Sequence, residues 1–131
     1  MSTTRRPDID TVETLLRKAR RRGARGPELA QHVPDLVDLL VLPDGTSPKD
    51  RAAHAEQIIR KAIDTALDDP AKTAMKILFG LAAGTRRTSV DHRREHAASL
   101  MRITPGAFRR PNQEGALILE IAFEIATAPA G

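Results

Sequence analysis

Apolar residues along the 131-residue chain recur at helical spacing, and one device starts a helix four times: Gly26-Pro27, Ser47-Pro48, Asp69-Pro70 and Thr104-Pro105. Proline suits a first helical position because its missing N–H would be unpaired there, and a Ser, Thr or Asp before it can accept an orphan amide bond. Ile9, Val12, Leu15, Leu16 and Ala19 share one face, which predicts a first helix from about Asp8 to Arg21 with Asp10 and Glu13 in a capping box. Residues 1–7 are expected to be a flexible N-terminus, and 8–127 a single domain. Pro34 interrupts the apolar stretch from Pro27 to Leu42, so that stretch reads as two short helical pieces with a kink. Pro43-Asp44-Gly45 is a turn. Ala52, Ala55, Ile58, Ile59, Ala62, Ile63, Ala66 and Leu67 predict a long helix from Ser47 to Asp68. Ala71, Ala74, Met75, Leu78 and Phe79 predict the next, ended by Gly80.

Two later stretches carry more information. From Ser89 to Arg110 the pattern fits a helix-turn-helix: Ala97 and Ala98 supply small contacts, Arg102, Ile103 and Thr104 make the turn, and Phe108 anchors the second helix. Arg102 stands where the turn usually takes glycine, and Pro111 limits the second helix to about two turns. Asn112 is then placed to cap a final helix running to about Ala126, with only Glu120 and Glu124 polar in its body. Such a helix is either the centre of a bundle or half buried against a partner. Leu117, Ile118, Ile121 and Ile125 are its candidate interface residues for a homodimer or other partner. In the central reading, Leu117, Ile121 and Ile125 pack against Ile58, Ile63, Leu78 and Phe108. The fold class expected is all-α, a compact bundle of five to seven helices with a helix-turn-helix-like unit in its C-terminal half.

Composition narrows the class. Phe79, Phe108 and Phe123 are the only aromatic residues, so the core must come from Leu, Ile, Val and Ala, which favours helices over sheets. Absence of cysteine excludes disulfides, thiolate zinc sites and thiol nucleophiles, and suits a cytoplasmic setting. No apolar run reaches the 18 residues of a membrane span. Charge is uneven. Residues 1–26 hold eight Lys/Arg against three acids, 27–80 six against nine, and 81–131 seven against five, so the middle is acidic and both ends are basic. The run Arg17, Lys18, Arg20, Arg21, Arg22 and Arg25 closes the first helix, where it either complements the helix dipole as a solvated end or contacts a phosphate backbone.

Catalytic signatures are weak. His92-Arg93-Arg94-Glu95-His96 matches H-x-x-E-H, in which two histidines bind zinc and the glutamate activates water, which leaves a metal-dependent hydrolase as a remote alternative. The only acids downstream that could complete it are Glu114, Glu120 and Glu124, and a short pattern of this kind arises easily by chance. Gly80-Leu-Ala-Ala-Gly84-Thr85 lacks the lysine of a phosphate loop and follows a helix rather than a strand, so it reads as a helix stop and turn. No nucleophile–base pair and no cofactor fingerprint stand out, so a protein that is not an enzyme and needs no cofactor is expected.

Binding is the remaining class. Arg86, Arg87, Arg93, Arg94, Arg102, Arg109 and Arg110 fall within 25 residues that contain only Asp91 and Glu95 as acids. Arg109 and Arg110 are assigned to a groove of double-stranded DNA and Arg86, Arg87 and Arg94 to its phosphates. An acidic protein surface is the alternative partner. The stretches Leu78-Phe79-Gly80-Leu81, Gly84-Thr85-Arg86, Arg93-Arg94-Glu95-His96-Ala97-Ala98, Ile103-Thr104-Pro105 and Phe108-Arg109-Arg110 resemble an arginine- and alanine-rich helical module at the front of varied bacterial proteins. The resemblance covers about residues 36–126 and implies an adaptor-like domain coupled to unrelated effectors. Similar sequences continue after Phe-Arg-Arg with more arginines and a glutamate; this one has Pro111-Asn112-Gln113-Glu114.

Overall fold

Most of the long helices begin where a side chain takes up first-turn amides, and the computed structural model, which describes residues 7–43 and 45–128, shows how each start is set. Residues 1–6 of the expected flexible segment, and Asp44 of the expected turn, lie outside the described residues. Helix α1 (Ile9–Arg22) is capped by Asp8, whose carboxylate accepts from Thr11 N at 3.2 Å. The expected Asp10–Glu13 box does not form, because the cap must precede the helix in extended conformation and Asp8 is the residue that does.

The apolar stretch with Pro34 at its middle divides as expected into α2 (Gly26–His32) and α3 (Pro34–Leu40), with Val33 between them outside helical geometry. Ser47 Oγ accepts from Asp50 N and starts α4 (Pro48–Ala66). Asp69 accepts from both the amide and the hydroxyl of Thr73 at the head of α5 (Ala71–Leu78). Ser89 starts α6 (Val90–Met101) and Thr104 starts α7 (Pro105–Phe108) by the same device.

All the regular structure is helical, with no strand among the described residues. They form eight α-helices, more than the five to seven expected. Arg102 ends α6 in the left-handed conformation, φ 60°, and Ile103 N closes back on Ala98 O at 3.1 Å, so arginine occupies the turn position that favours glycine. α7 is one turn, shorter than the two expected, because Arg110 must be extended before Pro111. A π-helical turn, Pro111–Gly115, then leads into α8 (Ala116–Thr127). Asn112 lies inside that turn and caps nothing.

α8 lies along α1 and α4; α2 and α3 flank α4, and α5 and α6 pair on one side, touching α4 and α1 respectively. One continuous apolar cluster runs through all of them, with Phe79 and Phe108 fully buried. The expected packing of α8 left out α1, its most extensive neighbour. Ile118, Ile121 and Ile125, named above as interface residues, face this core, and Leu117 is partly buried against it. The assignment is corrected: Leu119 and Phe123, one turn apart, are the large apolar residues that α8 exposes. Among the described residues no helix is long and apolar enough to cross a membrane.

Two consequences can be measured. Ile121 is 0% exposed and Phe123 57% exposed. Urea denaturation should therefore show Ile121→Ala losing about 2–5 kcal/mol, and Phe123→Ala changing stability by less than about 0.5 kcal/mol. The Thr73 hydroxyl, followed by its amide, holds the Asp69 carboxyl below the ordinary aspartate range. A depressed folded-state value adds stability above the unfolded value, and that stability is lost as pH falls through the folded one. An NMR titration of Asp69 should move up toward the ordinary value in Thr73→Val.

Candidate functional site

Several arginines of this protein donate to backbone carbonyls at or just beyond helix ends. Arg93 is buried on the first turns of α6, and its guanidinium donates to Leu78 O at 2.9 Å, Arg20 O at 2.6 Å and Thr88 O at 2.5 Å. It therefore ties the last turn of α1, the last turn of α5 and the turn before α6 to one cation. Burial, and then the neighbouring Arg94, hold its pKa below the ordinary arginine value. Arg25 donates to Gly80 O at 2.9 Å and Ala82 O at 3.2 Å, and Arg60 to Leu81 O at 3.1 Å. The Gly80–Thr85 stretch accordingly turns its carbonyls to arginines, while the amides of Gly80 and Leu81 close back on α5. It is a helix stop, not an anion cradle.

Beside Arg93, Glu114 in the π-turn is 2% exposed and lies between two guanidiniums. Arg94 Nε donates to its Oε1 at 2.7 Å and Arg94 Nη2 to its Oε2 at 3.4 Å, while Arg20 Nη1 donates to Oε2 from α1. Arg94 Nη1 is left to Asp91, 3.1 Å away and 84% exposed. Burial lowers the Arg20 pKa, and the Glu114 charge opposes that shift. Arg20 Nε is buried without an acceptor among the described residues.

The two arginines of these pairs, Arg20 and Arg94, line a cleft of about 370 Å³. Arg20, Arg21 and Arg22 reach it from the end of α1, Val90, Asp91 and Arg94 from the first turns of α6, and Arg109 from the residue after α7. Arg21, Arg22 and Arg109 are exposed, and no carboxylate is within ion-pair distance of them among the described residues. The cleft can hold an oxyanion: five guanidiniums line it against one carboxylate.

The sequence-derived residues divide between this cleft and elsewhere. Arg94 and Arg109 come together in it. Arg94 is a buried partner of Glu114, with two of its three nitrogens on that carboxylate and the third on Asp91, so Nη1 alone is left for the phosphate contact expected of it. Arg110 is exposed but does not line the cleft. Arg86 is half exposed with Glu28 at 3.5 Å, and Arg87 is exposed in left-handed backbone, φ 67°. His92, Glu95 and His96 are exposed on α6, and no group of three or more His, Cys, Asp or Glu is arranged to hold a metal among the described residues. Sequence reasoning saw the basic end of α1 but not its meeting with α6. It weighed Glu114 only as a metal ligand. The signal was an acid four residues after Arg110, the first since Glu95 in an arginine-rich stretch.

No protein-family model, curated protein or solved structure matches the chain.

The Glu114 pairs generate a stability prediction. Removing the carboxylate leaves two guanidiniums buried together, so Glu114→Ala should cost about 3–5 kcal/mol in chemical denaturation. Glu114→Gln keeps acceptor oxygen for one arginine and should lose clearly less. Equal losses would mean the charge itself contributes nothing.

Proposed function

We propose that this chain is a non-enzymatic module that binds the phosphate backbone of double-stranded DNA through the arginine cleft, with α6 and α7 as a helix-turn-helix-like support rather than as a base reader. The observation that carries it is the convergence of Arg21, Arg22 and Arg109, all exposed and uncompensated, on one cleft from two ends of the sequence. Guanidinium forks match phosphate oxygens. Val90 is the sole apolar residue in the lining, whereas protein docking sites centre on buried apolar anchors. A one-turn α7 offers too short a face for reading successive bases in the major groove, so binding is indifferent to sequence. The second reading, a protein-interaction adaptor or homodimer, is favoured by a different observation, the exposed Leu119 and Phe123 on α8.

Mobility shift with random duplex DNA tests the first reading. Three neutralised phosphates imply a slope of about −3 in log affinity against log salt, or roughly 40-fold weaker binding at 200 mM than at 50 mM salt. Arg21→Ala, Arg22→Ala and Arg109→Ala combined should abolish the shift. No shift at 50 mM salt, or one that the triple variant retains, would transfer the weight to the adaptor reading.

A further inference from the structure

The geometry points to a phosphate-dianion subsite beside Arg94 in the cleft, in which a phosphomonoester or inorganic phosphate displaces the Asp91 carboxylate from Arg94 and is gripped by Arg109 and the end of α1. The inference deepens the backbone-binding proposal and rests on it for the phosphate chemistry. Asp91 shows that an oxyanion fits here. Its carboxylate already takes Arg94 Nη1 at 3.1 Å, the one nitrogen of that guanidinium not turned to Glu114. With its side chain 84% exposed, the pair is weak and open to exchange, worth about 0–1 kcal/mol. The arginine itself is fixed from behind, so the donor stays in place when its partner changes.

Charge and shape choose the ligand. Arg21, Arg22 and Arg109 line the cleft with no carboxylate in ion-pair distance among the described residues, and Arg94 joins them once Asp91 moves aside. One phosphodiester brings a single negative charge; a phosphomonoester brings nearly two above its second pKa of about 6. An internal phosphodiester is also flanked by two sugars and offers two free oxygens, whereas a terminal phosphate offers three to the guanidiniums. No phenylalanine lines the cleft to stack a base, so recognition is of the phosphate and not of a nucleoside.

The test uses the full chain. Amide NMR titrations with inorganic phosphate, at pH 7.5 and at pH 5, are paired with mobility shifts of one duplex carrying 5′-phosphate or 5′-hydroxyl ends. Sulfate, dianionic at both pH values, is the control. Phosphate should move the Val90 and Asp91 amides at pH 7.5 and much less at pH 5, while sulfate acts equally at both. The phosphorylated duplex should bind about tenfold tighter, one charge-assisted group more. Arg109→Ala should weaken phosphate binding, and Asp91→Asn should tighten it about fivefold by removing the internal competitor. Two results overturn the subsite: a duplex that binds without regard to its ends while phosphate leaves the cleft amides unmoved, in which case backbone binding stands alone, or weaker phosphate binding by Asp91→Asn. Phosphate binding with neither duplex bound supports the subsite, identifies free phosphate as its ligand and removes the duplex reading.

Discussion

The ion pairs of Glu114 with Arg20 and Arg94 are the constraint on which the rest of the site depends. Taking three charges out of water is unfavourable unless each is met at close range, and here one carboxylate answers two guanidiniums brought from α1 and α6. The π-turn is what puts it there. An extended Arg110 followed by Pro111 lets the chain leave α7 and re-enter helix at Ala116, and the wide turn between them carries Glu114 inward while α8 runs back along α1 and α4. One buried carboxylate thus fixes how three helices meet.

Arginine has a second use in this fold. With two of its three phenylalanines buried, the core is built from aliphatic side chains, and the short helices leave many C-terminal carbonyls unpaired. Arg93 supplies donors to such carbonyls at the ends of α1 and α5, and Arg25 and Arg60 to the carbonyls of the turn that follows α5. A guanidinium suits the task better than an ammonium, since its planar fork reaches several fixed acceptors at once. The composition that made the chain look like a nucleic-acid binder is therefore partly architectural.

That double use decides what could be read from the sequence. Apolar spacing and the proline starts located the helices, the break at Pro34 and the turn at Arg102, because each is set by neighbours within one or two turns. The faces of α8 were harder. Leu117, Leu119 and Phe123 differ little in character from Ile118 and Ile121, and the positions of α1 and α4 decide which of them face inward. Arg93 and Arg94 were illegible for a stronger reason. A buried arginine and an exposed one are the same letter, and their partners stand up to 73 residues away for Arg93 and 20 for Arg94.

The same long-range contacts explain why the end of α1 can face an anion at all. A helix C-terminus presents carbonyl oxygens and the negative end of its dipole, which repels phosphate. Here Arg93 covers the carbonyl of Arg20, and Gly23 N closes on Ala19 O, so the exposed face of that last turn is left to its guanidiniums. Glu114 meanwhile holds Arg20 and Arg94 in the wall, and Arg21, Arg22 and Arg109 stay exposed around the opening. A rigid paired layer behind an unpaired one gives a cleft whose charge is available to a ligand without the helices that carry it being driven apart.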